Sequence, residues 1–258
     1  MKSLTGRLII LLLMAAGAPN LAAQEASPPP DSRLLPAVEA FFNGREEEAS
    51  RMMEELRSQT GSSTWEDRLL QGRISLWLGR IELVGGRKDT AEELLLDAAE
   101  RAASLQQDRE TAGKSRKVAS QVYCLEADAR AEIMLIKGVA FIIRNAGKVQ
   151  ELAEKALELD PENPAAGVIF AQGKINAPRL FGGNRNEGLE RLNRIWNRRP
   201  GGNSRPVLSK PHAFLVSIAL GDALAKKEPE KAGEFYREAL AWYPGSTIGR
   251  ERLERLKK

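Results

Sequence analysis

The chain has one cysteine, one histidine and few aromatic residues, 5% of 258. A single cysteine, Cys124, forms no intramolecular disulfide, so packing and not a disulfide framework must hold the fold. Between Val122, Tyr123 and Leu125 it reads as a small buried hydrophobe. The single histidine, His212, follows Pro211 at an expected helix start and leaves no His-rich metal site and no Ser-His-Asp set to assemble. A capping or surface role is expected of it. Carboxylate runs such as Glu46-Glu47-Glu48 and Glu92-Glu93 sit among helix formers, where they are solvated surface charge. Gly85-Gly86-Arg87-Lys88 and Gly182-Gly183-Asn184 lack both the spacing of a phosphate-cradling loop and a preceding strand. No catalytic residue, metal or cofactor is assigned, and enzyme activity is not expected.

Long apolar runs are missing too. The run from Leu8 to Ala16 is too short to span a bilayer. With Lys2 and Arg7 before it and Leu21-Ala22-Ala23 after it, residues 1–23 have the form of a secretory signal peptide cleaved after Ala23. The expected location is exported, periplasmic or secreted. No cysteine near the cleavage point offers a lipid attachment site, so membrane association is expected only through another protein. Cleavage takes away Lys2 and Arg7 and no acid, leaving a net charge of +2. That near-neutrality, with export, excludes nucleic acid as an expected partner. Residues 24–33, with Pro28-Pro29-Pro30, read as an extended linker, and 34–258 as the folded domain.

Runs alternating Val, Ile and Thr with polar residues are scarce, so little or no sheet is expected. What is abundant is Ala, Leu, Glu and Arg, at 42% hydrophobic and 29% charged residues overall. These predict an all-α fold of antiparallel helical hairpins, broken by short Gly, Asn or Pro turns. Near the C-terminus Ala232, Tyr236, Ala239 and Pro244 place small, aromatic, small and helix-ending residues on one helical face. Small residues let a partner helix approach, the aromatic fills the gap, and proline stops the helix. Leu220-Gly221 precedes them on a first helix, and Lys227-Glu228-Pro229 makes the turn. Ala153, Ala156 and Pro161 repeat the frame, as do Gly188, Leu192, Ile195 and Pro200. Ala91, Leu95 and Ala98 fit with Leu78-Gly79 before them, and Ala49, Met53 and Leu56 fit weakly.

The pattern resembles the tetratricopeptide repeat over residues 34–258, most specifically in Leu157-Glu158-Leu159-Asp160-Pro161-Glu162-Asn163-Pro164. The resemblance implies about five hairpins, stacked as a short solenoid or closed into a compact bundle. The anchors Ala49, Ala91, Val149, Gly188 and Ala232 stand 42, 58, 39 and 44 residues apart. All exceed the regular period of about 34, so extra length must sit in longer helices and loops, notably around Ser104 to Ser115.

Between Lys174 and Glu187 the turn is longer than the frame requires and contains Pro178-Arg179-Leu180-Phe181-Gly182-Gly183-Asn184. Pro178 ends one helix, the glycines permit a sharp return, and Asn184 or Asn186 can cap the next helix. Phe181 either plugs the end of the hairpin core or forms a lip over a binding groove. This loop is similar to one in periplasmic tetratricopeptide proteins, including the T component that accompanies tripartite substrate-binding transporters. That resemblance implies an export signal and irregular hairpins around a central pore or cleft. Arg179 to Lys210 carries a local balance of +6, with Arg191, Arg194 and Arg198 at i, i+3 and i+7 on one expected helix face. Such a face either attracts an acidic partner or is solvated opposite Glu151, Glu154 and Glu158. Trp65, Trp77, Trp196 and Trp242 are expected in the core. Two functions follow. The first is an exported, non-enzymatic scaffold that holds a protein or peptide in a groove lined by the first helices. The second is a small-ligand carrier or transporter accessory. The candidate contact residues for either are Arg179, Phe181, Arg191, Arg194 and Arg198.

Overall fold

The computed structural model describes residues 30–108, 113–204 and 208–256. The expected signal peptide and residues 24–29 of the linker lie outside them; Pro30–Arg33 forms a single 3-10 turn. Among the described residues there are eleven α-helices and no strand, as the composition predicts. They pair in chain order as five antiparallel hairpins and a last helix. Hairpin 1 is α1 (Leu35–Phe42) and α2 (Glu46–Gln59), and hairpin 2 is α3 (Trp65–Val84) and α4 (Lys88–Gln107). Hairpin 3 is α5 (Arg116–Lys137) and α6 (Val139–Leu159). Hairpin 4 is α7 (Pro164–Asn176) and α8 (Arg185–Trp196), and hairpin 5 is α9 (Lys210–Leu224) and α10 (Pro229–Trp242). Helix α11 (Thr247–Arg255) ends the array.

Local chemistry sets most of these boundaries. Thr64 caps α3 by accepting from the Asp67 amide at 3.1 Å. Asn163 caps α7 by accepting from the amides of Ala165 and Ala166, each at 3.1 Å. Pro164 and Pro229 occupy first turns, where a missing N–H costs nothing. All five repeat anchors fall on second helices, and all five are buried. The leucine-glycine pairs fall on first helices as expected, at points of close approach: a Cβ on Gly79 would stand 2.8 Å from Leu95 Cγ, and one on Gly221 would enter the Tyr236 ring. The missing side chain lets each second helix seat against its first.

The array closes on itself. Phe42, at the end of α1, is fully buried with its ring 4.6 Å from Phe214 of α9 and 5.4 Å from Tyr243 after α10. Trp77 of α3 packs edge-on to the same ring at 5.6 Å. One apolar cluster therefore joins α1, α2 and α3 to α9, α10 and α11. At the turns, Thr247 donates to Glu46 at 3.4 Å. Hairpin 1 is thus held between hairpins 2 and 5, and the solenoid of stacked hairpins curls until its two ends touch.

Closure fills the groove that first helices line in an open array. Every residue of α9 from Pro211 to Gly221 is buried, as is nearly all of α3 from Leu69 to Ile81. Charge is enclosed as well. Arg80 of α3 reaches Asp128 at 2.6 Å and Glu132 at 3.0 Å on α5, with all three side chains at most 2% exposed. The surfaces of α3 and α9 that would line a partner groove are thus covered by the protein's own side chains.

Candidate partner-binding ledge

The expected contact residues separate into two places. Arg191, Arg194 and Arg198 do not share a helix face, because α8 ends at Trp196 and Arg198 lies in the following turn. The Arg191 guanidinium donates to Pro161 O at 3.3 Å. Arg198 donates to Glu162 O at 3.2 Å and pairs with the Glu162 carboxylate at 2.9 Å. Both therefore clamp the α6–α7 turn, and their acidic neighbour is Glu162 in place of the expected Glu151, Glu154 and Glu158. Burial, with Arg194 and Arg198 nearby, lowers the Arg191 pKa from its ordinary value. Arg194 is exposed and pairs with Glu190 at 3.0 Å.

Arg179 and Phe181 lie at the opposite edge, where the hairpin tips are. Phe181 does not plug the hairpin: it is 71% exposed, and Leu180 is 88% exposed. The end of hairpin 4 is closed instead by Ile175, whose Cγ1 would stand 2.6 Å from a Cβ on Gly188. The loop is nonetheless ordered by its own backbone. Phe181 N donates to Pro178 O at 2.9 Å, Gly183 N to Pro178 O at 3.1 Å and Asn184 N to Lys174 O at 2.8 Å. Gly182 takes φ +82°, and Asn184 caps α8 by accepting from the Glu187 amide at 3.3 Å. The resulting 3-10 turn holds Leu180 and Phe181 in solvent.

Hairpin 3 rises above this loop. Helix α7 packs on the face of α6 that carries Gln150 and Glu154: a Cβ on Gly173 would run into the Gln150 amide, and Lys174 pairs with Glu154 at 3.7 Å. At 3.6 residues per turn the same face continues upward through Gly147, Ile143 and Val139. Helix α7 ends at Asn176 and leaves that stretch uncovered. Val139 is 72% and Ile143 69% exposed. The overhang of Val139–Lys148 is about 15 Å long at 1.5 Å per residue. On the other side hairpin 2 keeps pace, with Lys137 paired to Glu92 of α4 at 2.5 Å. The array therefore has a step, with α6 as its wall and the Arg179–Phe181 turn as its floor.

Four of the five exposed large hydrophobic residues among those described lie on this step, Leu96 being the fifth. Each forgoes about 1.5–3 kcal/mol of available burial. Scattered singly they would need no explanation; here they gather on two adjoining elements as an exposed apolar patch.

The remaining expectations resolve inside the core. Cys124 is fully buried, and burial raises its thiol pKa well above the ordinary range. Trp65, Trp77 and Trp196 are buried, and Trp242 packs partly buried against Trp196 at 5.6 Å. His212 is no surface residue. It is buried in the first turn of α9 with Nδ1 2.9 Å from Ser209 Oγ, and burial, helped by Arg198, lowers its pKa to about 3. Among the described residues no group of three or more His, Cys, Asp or Glu side chains is placed to hold a metal ion, and no helix is long and apolar enough to cross a membrane.

No family model matches the sequence, and no match is found among curated proteins. The structure is similar to that of a thermophilic TPR protein in Thermus thermophilus, with a TM-score of 0.51 and 15% identity. The alignment covers 88% of this chain and 98% of that one. At that identity the likeness speaks for the fold alone. Five antiparallel hairpins with small-residue anchors on their second helices give this chain the tetratricopeptide-type helical-repeat fold.

Proposed function

We propose that the mature chain is an exported, non-enzymatic scaffold that binds a protein partner on the step between hairpins 3 and 4. The observation that carries this reading is the gathering of exposed Val139, Ile143, Leu180 and Phe181 on one ledge, in a fold whose usual groove is filled. Helical-repeat arrays act by presenting rigid, extended surfaces to other proteins. Here the filled groove moves the contact to the tips. Arg179 and Phe181 belong to the contact surface, whereas Arg191 and Arg198 hold the turn between hairpins 3 and 4, and Arg194 is solvated beside Glu190. Carriage of a small ligand beneath the loop is disfavoured, because Ile175 fills the space under it against Gly188.

A photo-crosslinking residue placed at position 181 of the mature chain, expressed in its native envelope, tests this. One recurrent protein adduct, lost on Ile143→Asp and not formed from the exposed position 237 of α10, is the expected result. No adduct from position 181, with a strong one from 237, would move the contact to the outer face of the second helices.

A further inference from the structure

The step has a charge as well as a shape. Residues 139–150 contain Arg144 and Lys148, and residues 174–186 contain Lys174, Arg179 and Arg185; neither segment contains an acid. The nearest following carboxylates are Glu151 and Glu187. Some of this charge is engaged, Lys174 with Glu154 and Lys148 with Glu151 at 3.4 Å. Arg185 reaches across to Ala223 O. Arg144 donates only to Ala140 O at 3.2 Å, and Arg179 has no ion pair among the described residues. Helical geometry puts Arg144 on the flank of the Val139–Ile143 stripe, and Arg179 stands on the floor beside Leu180.

Resting on the scaffold reading, we propose that the occupant of the ledge is an amphipathic helix of the partner protein, with an apolar stripe flanked by Asp or Glu. Three features select that occupant. The wall is an unpartnered helical face about 15 Å long, the length of roughly ten helical residues, so a second helix laid along α6 takes the place that α7 leaves vacant above Asn176. The exposed apolar residues belong to two adjoining elements, the α6 overhang and the turn that follows α7, so one occupant can meet both. A flat bilayer laid across the tips would meet α6 end-on and reach the stripe poorly. A second copy docked by two-fold symmetry would set this basic patch against the same basic patch, and neither segment supplies a carboxylate. An acidic helix satisfies the stripe and both cations together.

The test uses the full mature chain and defined probes: a fluorescent twelve-residue helical peptide with a leucine stripe and glutamate flanks, its lysine-flanked counterpart, and vesicles containing anionic lipid. The glutamate peptide is expected to bind at least tenfold more tightly than the lysine peptide, and to lose at least tenfold on either Ile143→Asp or Leu180→Asp. Both positions are exposed, so these variants keep their helical circular dichroism. The double reversal Arg144→Glu with Arg179→Glu should invert the preference between peptides. Equal binding of the two peptides overturns the proposal, as does binding unmoved by Ile143→Asp. Sedimentation with vesicles that peptide does not compete, or a dimer that Ile143→Asp dissociates, replaces it with a lipid surface or a second copy. If the adduct from position 181 persists while the peptides bind equally, this inference fails and the scaffold reading stands. Loss of the adduct as well removes both.

Discussion

Replacing Phe42 with alanine strikes the contact that closes the array. The ring is fully buried and lies 4.6 to 5.7 Å from the rings of Phe214, Tyr243, Trp77 and Phe41. Truncation removes those contacts and opens a cavity between hairpins that are distant in sequence, at a cost of about 3–5 kcal/mol. Stability alone does not separate closure from ordinary core loss, so the comparison is Leu192→Ala in hairpin 4, a fully buried leucine expected to cost about 2–5 kcal/mol. Urea titration gives both losses. Amide exchange then separates them: Phe42→Ala should release α1, α2 and α11 in preference to α5 and α6, because hairpin 1 loses its second neighbour. A loss under about 1 kcal/mol, or exchange raised evenly along the chain, would refute the closed packing.

Other expectations follow from the same packing. His212 is held neutral in the fold with a pKa near 3, so the unfolded chain binds the extra proton. Its contribution is fully present above pH 6.5, and stability falls by about 2 kcal/mol from pH 6.5 to 5, continuing down toward pH 3. His212→Gln should flatten that dependence in urea midpoints across this range. Gly221→Ala drives a methyl into the Tyr236 ring and should cost about 1–3 kcal/mol, read as a lowered Tm. Arg80→Ala leaves Asp128 and Glu132 enclosed without their shared cation and should cost about 3–5 kcal/mol. Replacing all three with Met, Leu and Leu together should recover most of that loss in the same titration, since the triad is costly to desolvate.

Much of the hairpin architecture is legible in the sequence because it is local. Ala232, Tyr236, Ala239 and Pro244 encode a helix face and its end, and Leu220-Gly221 encodes the close approach on which that face sits. Part of the long interval from Ala91 to Val149 has a physical origin: α6 begins ten residues before its anchor, and those residues are the overhang, while the long helices α4 and α5 take up most of the rest. The irregular spacing points to extra length without saying that a shorter neighbour leaves it bare. Closure is not legible, because Phe42 and Phe214 meet across 172 positions and nothing in either segment names the other. The Phe181 turn misleads in a different way. An aromatic beside two glycines fits either a plug or a lip, and the deciding fact is that Ile175 fills the hairpin end first. Arg191 and Arg198 form a plausible face only until α8 stops at Trp196 and turns Arg198 onto Glu162.

Hydroxyl-radical footprinting of the mature chain, read residue by residue, tests the filled groove and the exposed ledge together. Rapid labelling of Leu180, Phe181 and Ile143 is expected, with Phe42, Trp77, Phe214 and Tyr236 protected until the chain unfolds. Labelling of Trp77 and Phe214 at rates near that of Phe181 would show an open groove and contradict the closed array.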